Sequence, residues 1–175
     1  MENRVLVAYA TIHGSTQEVA EVIAMALREC RVTVDVQQAR RVRTLAGYRA
    51  VVLGASLFMF HMHRDARHFL SRFRGPLTGG LPLAIFAGGP FGKGDESEWQ
   101  GVRKQLDQEL AKFTWLKPAA VEVIGGRFDP THLRFPWNLI PALKQMPASD
   151  LRDWTAIRAW ASSLSTPGPN QIWQN

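Results

Sequence analysis

The sequence predicts an α/β fold: a doubly wound parallel sheet of five strands with helices on both faces and an insertion before the last helix. Five short apolar runs, at residues 5–9, 32–36, 50–54, 81–89 and 119–126, are rich in β-formers and too short for helices. Stretches with apolar residues at i, i+3, i+4 and i+7 stand between most of them. Glycine- or hydroxyl-bearing loops follow several runs, at the carboxyl ends where such sheets hold ligands.

The elements follow in order. Residues 5–9 read as a buried strand, and Ser15 then opens a helix with Glu18 three residues on, the pattern of a capping box. Val19, Val22, Ile23, Ala26, Leu27 and Cys30 continue that helix at helical spacing. The second strand alternates over Val32–Val36, and "AVVLG" is a third, fully buried one; the short link between them implies an irregular crossover. Ala66, Phe69, Leu70 and Phe73 mark a second helix, "LPLAIFAGG" a fourth strand, and Trp99, Val102, Leu106, Leu110 and Phe113 a third helix. "AAVEVIGG" is the fifth strand, and Leu151, Trp154, Ile157, Ala161 and Leu164 the last helix. Residues 1–166 are expected to form one domain with an insertion at about 127–148, and 167–175 to form a loose tail.

Composition bounds the function. With 175 residues, 46% hydrophobic and 21% charged, the chain can bury a real core and is not disordered. No apolar run approaches a membrane span, and "MENRVLVAYA" lacks a signal-peptide pattern, so a cytoplasmic location is expected. The single cysteine, Cys30, allows no internal disulfide and no cysteine-rich metal site. The formal charge of +6 implies an anionic ligand or partner. Between residues 36 and 94 the only acid is Asp65, against Arg40, Arg41, Arg43, Arg49, Arg64, Arg67, Arg72, Arg74 and Lys93. Neither interleaved aromatics nor zinc-finger spacing supports nucleic acid. The run His61-x-His63 has no cysteine or paired carboxylate beside it, so no metal is expected.

The loop "ATIHGSTQ" carries one glycine rather than the three of a dinucleotide fingerprint, and it lacks the lysine of a P-loop. It gathers the hydroxyls of Thr11, Ser15 and Thr16 around His13 and Gly14 at a helix start, which suits a phosphate monoester. Thr11, Ile12, His13, Gly14, Ser15 and Thr16 match in place and order the T-x-x-G-[ST]-T loop of the flavodoxin-like family, which wraps the FMN phosphate. The resemblance implies an FMN-binding domain. The loops after the third and fourth strands, "GASLFMFHMHRD" and "FAGGPFGKGDESEW", would then flank the flavin ring. An aromatic run covers ring faces, and glycines let backbone N–H groups approach the polar edge. Ser56, Leu57, Phe58, Met59 and His61 are the expected contacts in one loop, and Gly88, Gly89, Pro90, Phe91 and Gly92 in the other. His61 is the candidate catalytic residue, with His63 as the alternative, as a proton donor or ring clamp.

A closer resemblance covers most of the chain. "GAS" followed by an aromatic-and-histidine run, the insertion "GRFDPTHLRFPWNLIPALKQMPASD" and the helix opening "DLRDWTAIRAWA" are similar to the quinone-dependent protoporphyrinogen dehydrogenases of that family. The third loop departs from their polar, basic stretch. This resemblance implies an oxidoreductase linked to a hydrophobic or quinone electron partner, with peripheral contact to the inner face of an anionic membrane. Leu139, Ile140, Leu143 and Met146 are expected to form an apolar helical stripe in the insertion, flanked by Arg127, Arg134 and Lys144. Other functions of the same fold are a non-catalytic electron carrier or an interaction module without FMN. Positive charge around the second loop favours the reduced, anionic flavin and two-electron chemistry over a low-potential carrier.

Overall fold

The computed structural model describes residues 4–58 and 61–173, Phe58 by its backbone alone. Five parallel strands, β1 (Arg4–Ala10), β2 (Thr33–Gln38), β3 (Ala50–Phe58), β5 (Leu83–Gly88) and β6 (Ala120–Ile124), lie in the order β2-β1-β3-β5-β6. A short antiparallel strand, β4 (His61–Met62), folds back on the end of β3, pairing Leu57 with Met62. The central strands are buried on both faces, which is why they read as continuous apolar runs rather than alternating ones.

Two cores follow from that. On one face α1 (Ser15–Glu29) and α6 (Trp154–Ser163) pack Ile23, Leu27, Ile157 and Trp160 against Val5, Val7, Val52 and Phe86. On the other, α2 (Arg64–Arg72) and α4 (Glu96–Ala111) bring Phe69, Leu70 and Leu106 to Leu6, Leu53 and Ile85. The second helix ends at Phe73, and a separate short α3 (Arg74–Thr78) follows it. The link from β2 to β3 is a single 3-10 turn, Ala39–Arg41, as its shortness implied. Arg72 of α2 holds that link by donating to the Val42 and Arg43 carbonyls at 3.1 and 3.2 Å.

Three expectations are corrected. The capping box does not form: Gly14, at φ 89°, is the N-cap of α1, and no side chain caps that helix. Glu18 is drawn instead to two distant guanidiniums, Arg152 at 2.6 Å and Arg127 at 3.4 Å. The insertion is not an amphipathic helix. It is a hairpin of β7 (Arg127–Phe128) and β8 (Ser149–Asp150) enclosing 3-10 turns and a four-residue α5 (Pro141–Lys144). Proline lacks the N–H a helix interior needs, so Pro141 sits in the first turn of α5 and the stripe before it cannot be helical. The tail is not loose up to residue 173. Ile172 and Trp173 are buried in the core shared by α1 and α6, and the Arg49 guanidinium lies 5.4 Å from the Trp173 ring centroid.

Candidate functional site

Three loops meet above the carboxyl ends of β1, β3 and β5. The first, Thr11–Gly14, turns directly from β1 into α1. The Gly14 N–H donates to Thr11 Oγ1 at 2.9 Å, which closes the turn. Gly14 holds a left-handed conformation that other residues adopt only with strain, and no heavy atom lies within 4 Å of where a Cβ would stand. The first turn of α1 thus presents backbone N–H groups with no side-chain cap, at the positive end of a 15-residue helix. Ser15 is half-buried beside it and Thr16 is buried.

The second loop forms around the β3–β4 hairpin. Ser56, at the end of β3, has its Oγ buried with no hydrogen-bond partner among the described residues, a donor left for a ligand. Leu57 is buried. The Phe58 side chain and all of Met59 lie outside the described residues, as does Phe60. The hairpin is tied down by Glu109 of α4, whose buried carboxylate accepts from the Met62 N–H at 3.1 Å and from Lys112. Burial alone would raise that carboxyl's pKa, but these hydrogen bonds together bring it below the usual range.

His61, the expected catalytic residue, turns toward α4: its Nδ1 lies 3.5 Å from Glu109 Oε1 and its side chain is 66% exposed. His63, with His13, lines the cleft at the first loop. Its Nδ1 caps α2 by accepting the Asp65 N–H at 3.1 Å, so in the neutral ring the proton sits on Nε2. Burial, and then the nearby Arg64, Arg40 and Arg67, hold its pKa below the ordinary histidine value.

In the third loop several glycine N–H groups find partners within the protein. Gly92 and Gly94 donate to the two oxygens of Glu98, at 2.7 and 2.6 Å, and the Gly89 N–H donates to the Ile124 carbonyl at 2.9 Å. Those N–H groups are used within the protein, and the Pro90 and Phe91 carbonyls accept from Gly126 and Ser149, leaving the apolar side chains of Pro90 and Phe91 as the surface this loop offers. Its backbone is tied to the insertion, with Ser149 Oγ donating to the Phe91 carbonyl. The chain can return this close because Gly125 has no side chain: a Cβ there would stand 1.7 Å from the Leu151 carbonyl oxygen.

Two hollows border these loops. Leu57, Pro90 and Phe91 join Phe128, Leu143 and Met146 of the insertion around an apolar recess of about 390 Å³. A polar cleft of about 720 Å³ is lined by the first loop itself, Thr11, Ile12, His13 and Gly14, together with Gln38, Arg40, His63, Arg64, Asp65 and Arg134. The arginines of that cleft lie far apart in sequence, and only the shortage of acids between residues 36 and 94 signalled it beforehand. Glu109 and the Glu18–Arg152 pair went unforeseen because each acts across distant segments, and Glu98 because it turns back on the irregular loop just before its own helix.

The sequence model described as "Flavodoxin domain" matches residues 6–140. A search of curated proteins finds no match. Among solved structures, oxidised flavodoxin 2 from Bacillus cereus superposes with a TM-score of 0.50 at 20% identity, over 69% of this chain and 83% of that one. A flavo-diiron protein from Thermotoga maritima gives 0.56 at 17% identity, over 93% of this chain and 35% of its own. The rubredoxin:oxygen oxidoreductase of Desulfovibrio gigas gives 0.54 at 19%, over 90% and 36%. The chain therefore spans about a third of these two larger proteins, and at such identities the likeness is one of fold.

Proposed function

The chain belongs to the flavodoxin-domain family, and from that premise we propose that it is an FMN-dependent oxidoreductase exchanging electrons with a hydrophobic, quinone-like partner. The residues present fit FMN, the cofactor to which the family points. The bare first turn of α1 suits its phosphate, and the partnerless Ser56 Oγ suits a polar group of the same ligand. Bound FMN supplies one- or two-electron transfer. The protein's part is to hold the ring between Leu57 and the Pro90–Phe91 loop and to govern what reaches it.

The observation that carries the partner's chemistry is the apolar recess. The insertion brings Phe128, Leu143 and Met146 against the ring loops, so a partner approaching there meets mostly hydrocarbon, with Glu98 and Gln105 the polar side chains of the lining. Phe135 and Leu139, 76% and 66% exposed, stand on the same insertion with Lys144. That combination favours peripheral contact with an anionic lipid surface, where quinones reside. No helix among the described residues is long and apolar enough to cross a membrane. A cytoplasmic location agrees with such contact at the inner face.

The test is reoxidation of the reduced, FMN-loaded protein by a short-chain quinone and by ferricyanide. Leu143→Ser with Met146→Ser should slow the quinone reaction ~10-fold or more, since two apolar side chains that line the recess are lost, and leave ferricyanide and FMN affinity alone. Equal rates with both acceptors in both proteins would support a non-catalytic carrier. The closer resemblance suggests a porphyrinogen as the reductant. Anaerobic mixing of protoporphyrinogen with the FMN-loaded protein should then bleach the flavin, and an unchanged spectrum removes that substrate while leaving the quinone reading standing.

A further inference from the structure

Parallel strands are normally joined by a crossover helix, but the link from β2 to β3 carries only the 3-10 turn Ala39–Arg41. Beside that turn, the flank of α2 borders a hollow of about 510 Å³. The buried side chains of Ala39, Phe69 and Phe73 give it an apolar lining, and Arg40, His68, Ser71 and Arg72 stand around them with Asp65. No residue of the first loop lines this hollow. Arg40 and Asp65 line both it and the cleft at the first loop, so the two adjoin.

The link, α2 and α3 pack on one another, and Arg72 ties α2 to the link through the Val42 and Arg43 carbonyls. Together they carry Arg40, Arg41 and Arg43, then Arg64, Arg67 and Arg72, then Arg74, against Asp65 as the single acid. That excess of six equals the formal charge of the whole chain, so the other 14 basic and 14 acidic side chains cancel. Arg49 is among those 14, with its guanidinium over Trp173. Six of the seven arginines are exposed and Arg67 is half-buried. Among the described residues none of the seven forms an ion pair. A lone unpaired guanidinium means little, since Arg31 is another; here seven stand together with the entire surplus of charge.

The chemistry of this side selects a class of partner. The first lysine of the chain is Lys93, so every cation here is a guanidinium, which is weakly hydrated and forks onto carboxylates. Arginine is enriched in protein interfaces and lysine depleted. Among the described residues between 39 and 78 no large apolar side chain is exposed; the exposed Phe135 and Leu139 belong to the insertion. A bilayer surface has nothing here to anchor it and would leave the hollow empty. A polypeptide can supply carboxylates for the arginines and an apolar side chain for the hollow.

We propose that the side formed by the link, α2 and α3 is the docking surface for an acidic protein, one apolar side chain of which enters the hollow while its carboxylates meet the surrounding arginines. The surface needs no flavin, so the proposal stands apart from the FMN reading.

Fluorescence anisotropy tests it with a labelled glutamate-rich peptide bearing one central phenylalanine, and with its alanine counterpart, on the full chain with and without FMN. The phenylalanine peptide should bind ~10-fold or more tightly than the alanine one, from burial of a single ring. Both should weaken as salt rises from ~0.05 to ~0.3 M. Arg41→Glu with Arg43→Glu, at exposed positions outside the first-loop cleft, should weaken both peptides ~10–100-fold and change FMN affinity by less than ~3-fold. Ser71→Trp, at an exposed position beside the hollow, should remove the advantage of phenylalanine and leave the alanine peptide unaffected. Circular dichroism verifies that both variants fold, and the peptide pair on the wild type decides the matter if one does not. Failure of both peptides to bind at low salt overturns the proposal, as do equal affinities for the two or binding unaltered by the charge reversal. Phosphatidylglycerol vesicles or duplex DNA that displace the phenylalanine peptide at a lower concentration of negative charge would reassign the surface to lipid or nucleic acid.

Discussion

Replacing Gly14 with alanine tests whether the helix start, and not some other feature, holds the flavin phosphate. Gly14 sits at φ 89° and ψ −12°, and a Cβ there would meet no heavy atom within 4 Å. Steric overlap therefore contributes nothing, and the cost is the left-handed conformation alone, ~1–2 kcal/mol for a residue with a Cβ. The flavin-free loop can relax by turning its peptide, which moves the first-turn N–H groups out of line. Bound FMN has to restore them. However the cost divides between folding and binding, the FMN-saturated protein carries all of it. Its melting temperature should fall by ~2–8 °C, from ~2–4 °C per kcal/mol at this chain length. FMN affinity should drop by up to ~30-fold, the factor equivalent to ~2 kcal/mol, and riboflavin affinity much less. Gly14→Asn should lose about half as much, because asparagine tolerates this region of backbone space. Fluorescence quenching titrations with FMN and riboflavin, alongside thermal melts, give both quantities. If Gly14→Ala leaves the saturated protein as stable and as tight as wild type, the phosphate is not held at this turn. Equal losses for FMN and riboflavin would sink the idea as surely.

Other expectations follow from specific contacts. Arg152, 4% exposed, joins Glu18 and Asp150 and lies 4.6 Å from the Trp154 ring centroid. Arg152→Met should cost ~2–3 kcal/mol in urea unfolding, near the low end for a broken pair because both carboxylates are half-exposed and regain water; an unchanged midpoint would show that the tie is not structural. Glu98→Ala frees the Gly92 and Gly94 N–H groups, so their hydrogen exchange should accelerate while α4 beyond its first turn stays protected; unaltered exchange would mean the loop holds its shape without the carboxylate. His13 and His63 have folded pKa values below the unfolded one, so the unfolded chain takes up protons first as pH falls below ~6.5. Stability of the flavin-free protein should be full above that pH and decline toward pH 5.5. His63→Asn, which keeps an acceptor for the Asp65 N–H, should flatten the decline, and a slope unaltered by that change would assign it to other groups.

The sheet was legible because strands buried on both faces leave uninterrupted apolar runs, as in Val5–Ala10 and Leu83–Ala87. Helix α1 was legible because its stripe keeps a 3.6-residue period over 15 residues. The parts that were not legible are those fixed by distant partners. The crossover is a 3-10 turn held by an arginine 29 and 30 residues further on, and no local pattern encodes it. Trp173 sits in a polar, glycine- and proline-containing tail that reads as loose until the core and Arg49 stand beside it. The apolar residues of the insertion keep a helical period that Pro141 interrupts; Leu143 and Met146 line the recess beside the ring loops instead, and Leu139 stays exposed.

The site divides in the same way, and the division has a physical reason. The phosphate loop was legible because six consecutive residues make it, whereas Arg40, Arg64 and Arg134 form a cluster only after three segments fold together. The misread capping box connects the two. Ser15-x-x-Glu18 is locally a helix start that caps itself, and an isolated peptide of this sequence would use it so. In the folded chain, Arg152 and Arg127 compete for the Glu18 carboxylate with charge, and a charge-assisted hydrogen bond outweighs one to a backbone N–H. Drawing Glu18 sideways also removes a negative group from the mouth of the helix, where it would repel a phosphate. Gly14 takes over as N-cap with no side chain to fill the space in front of the first turn. The local rule fails where the protein leaves its own N–H groups unsatisfied, and an anion needs that vacancy in order to bind.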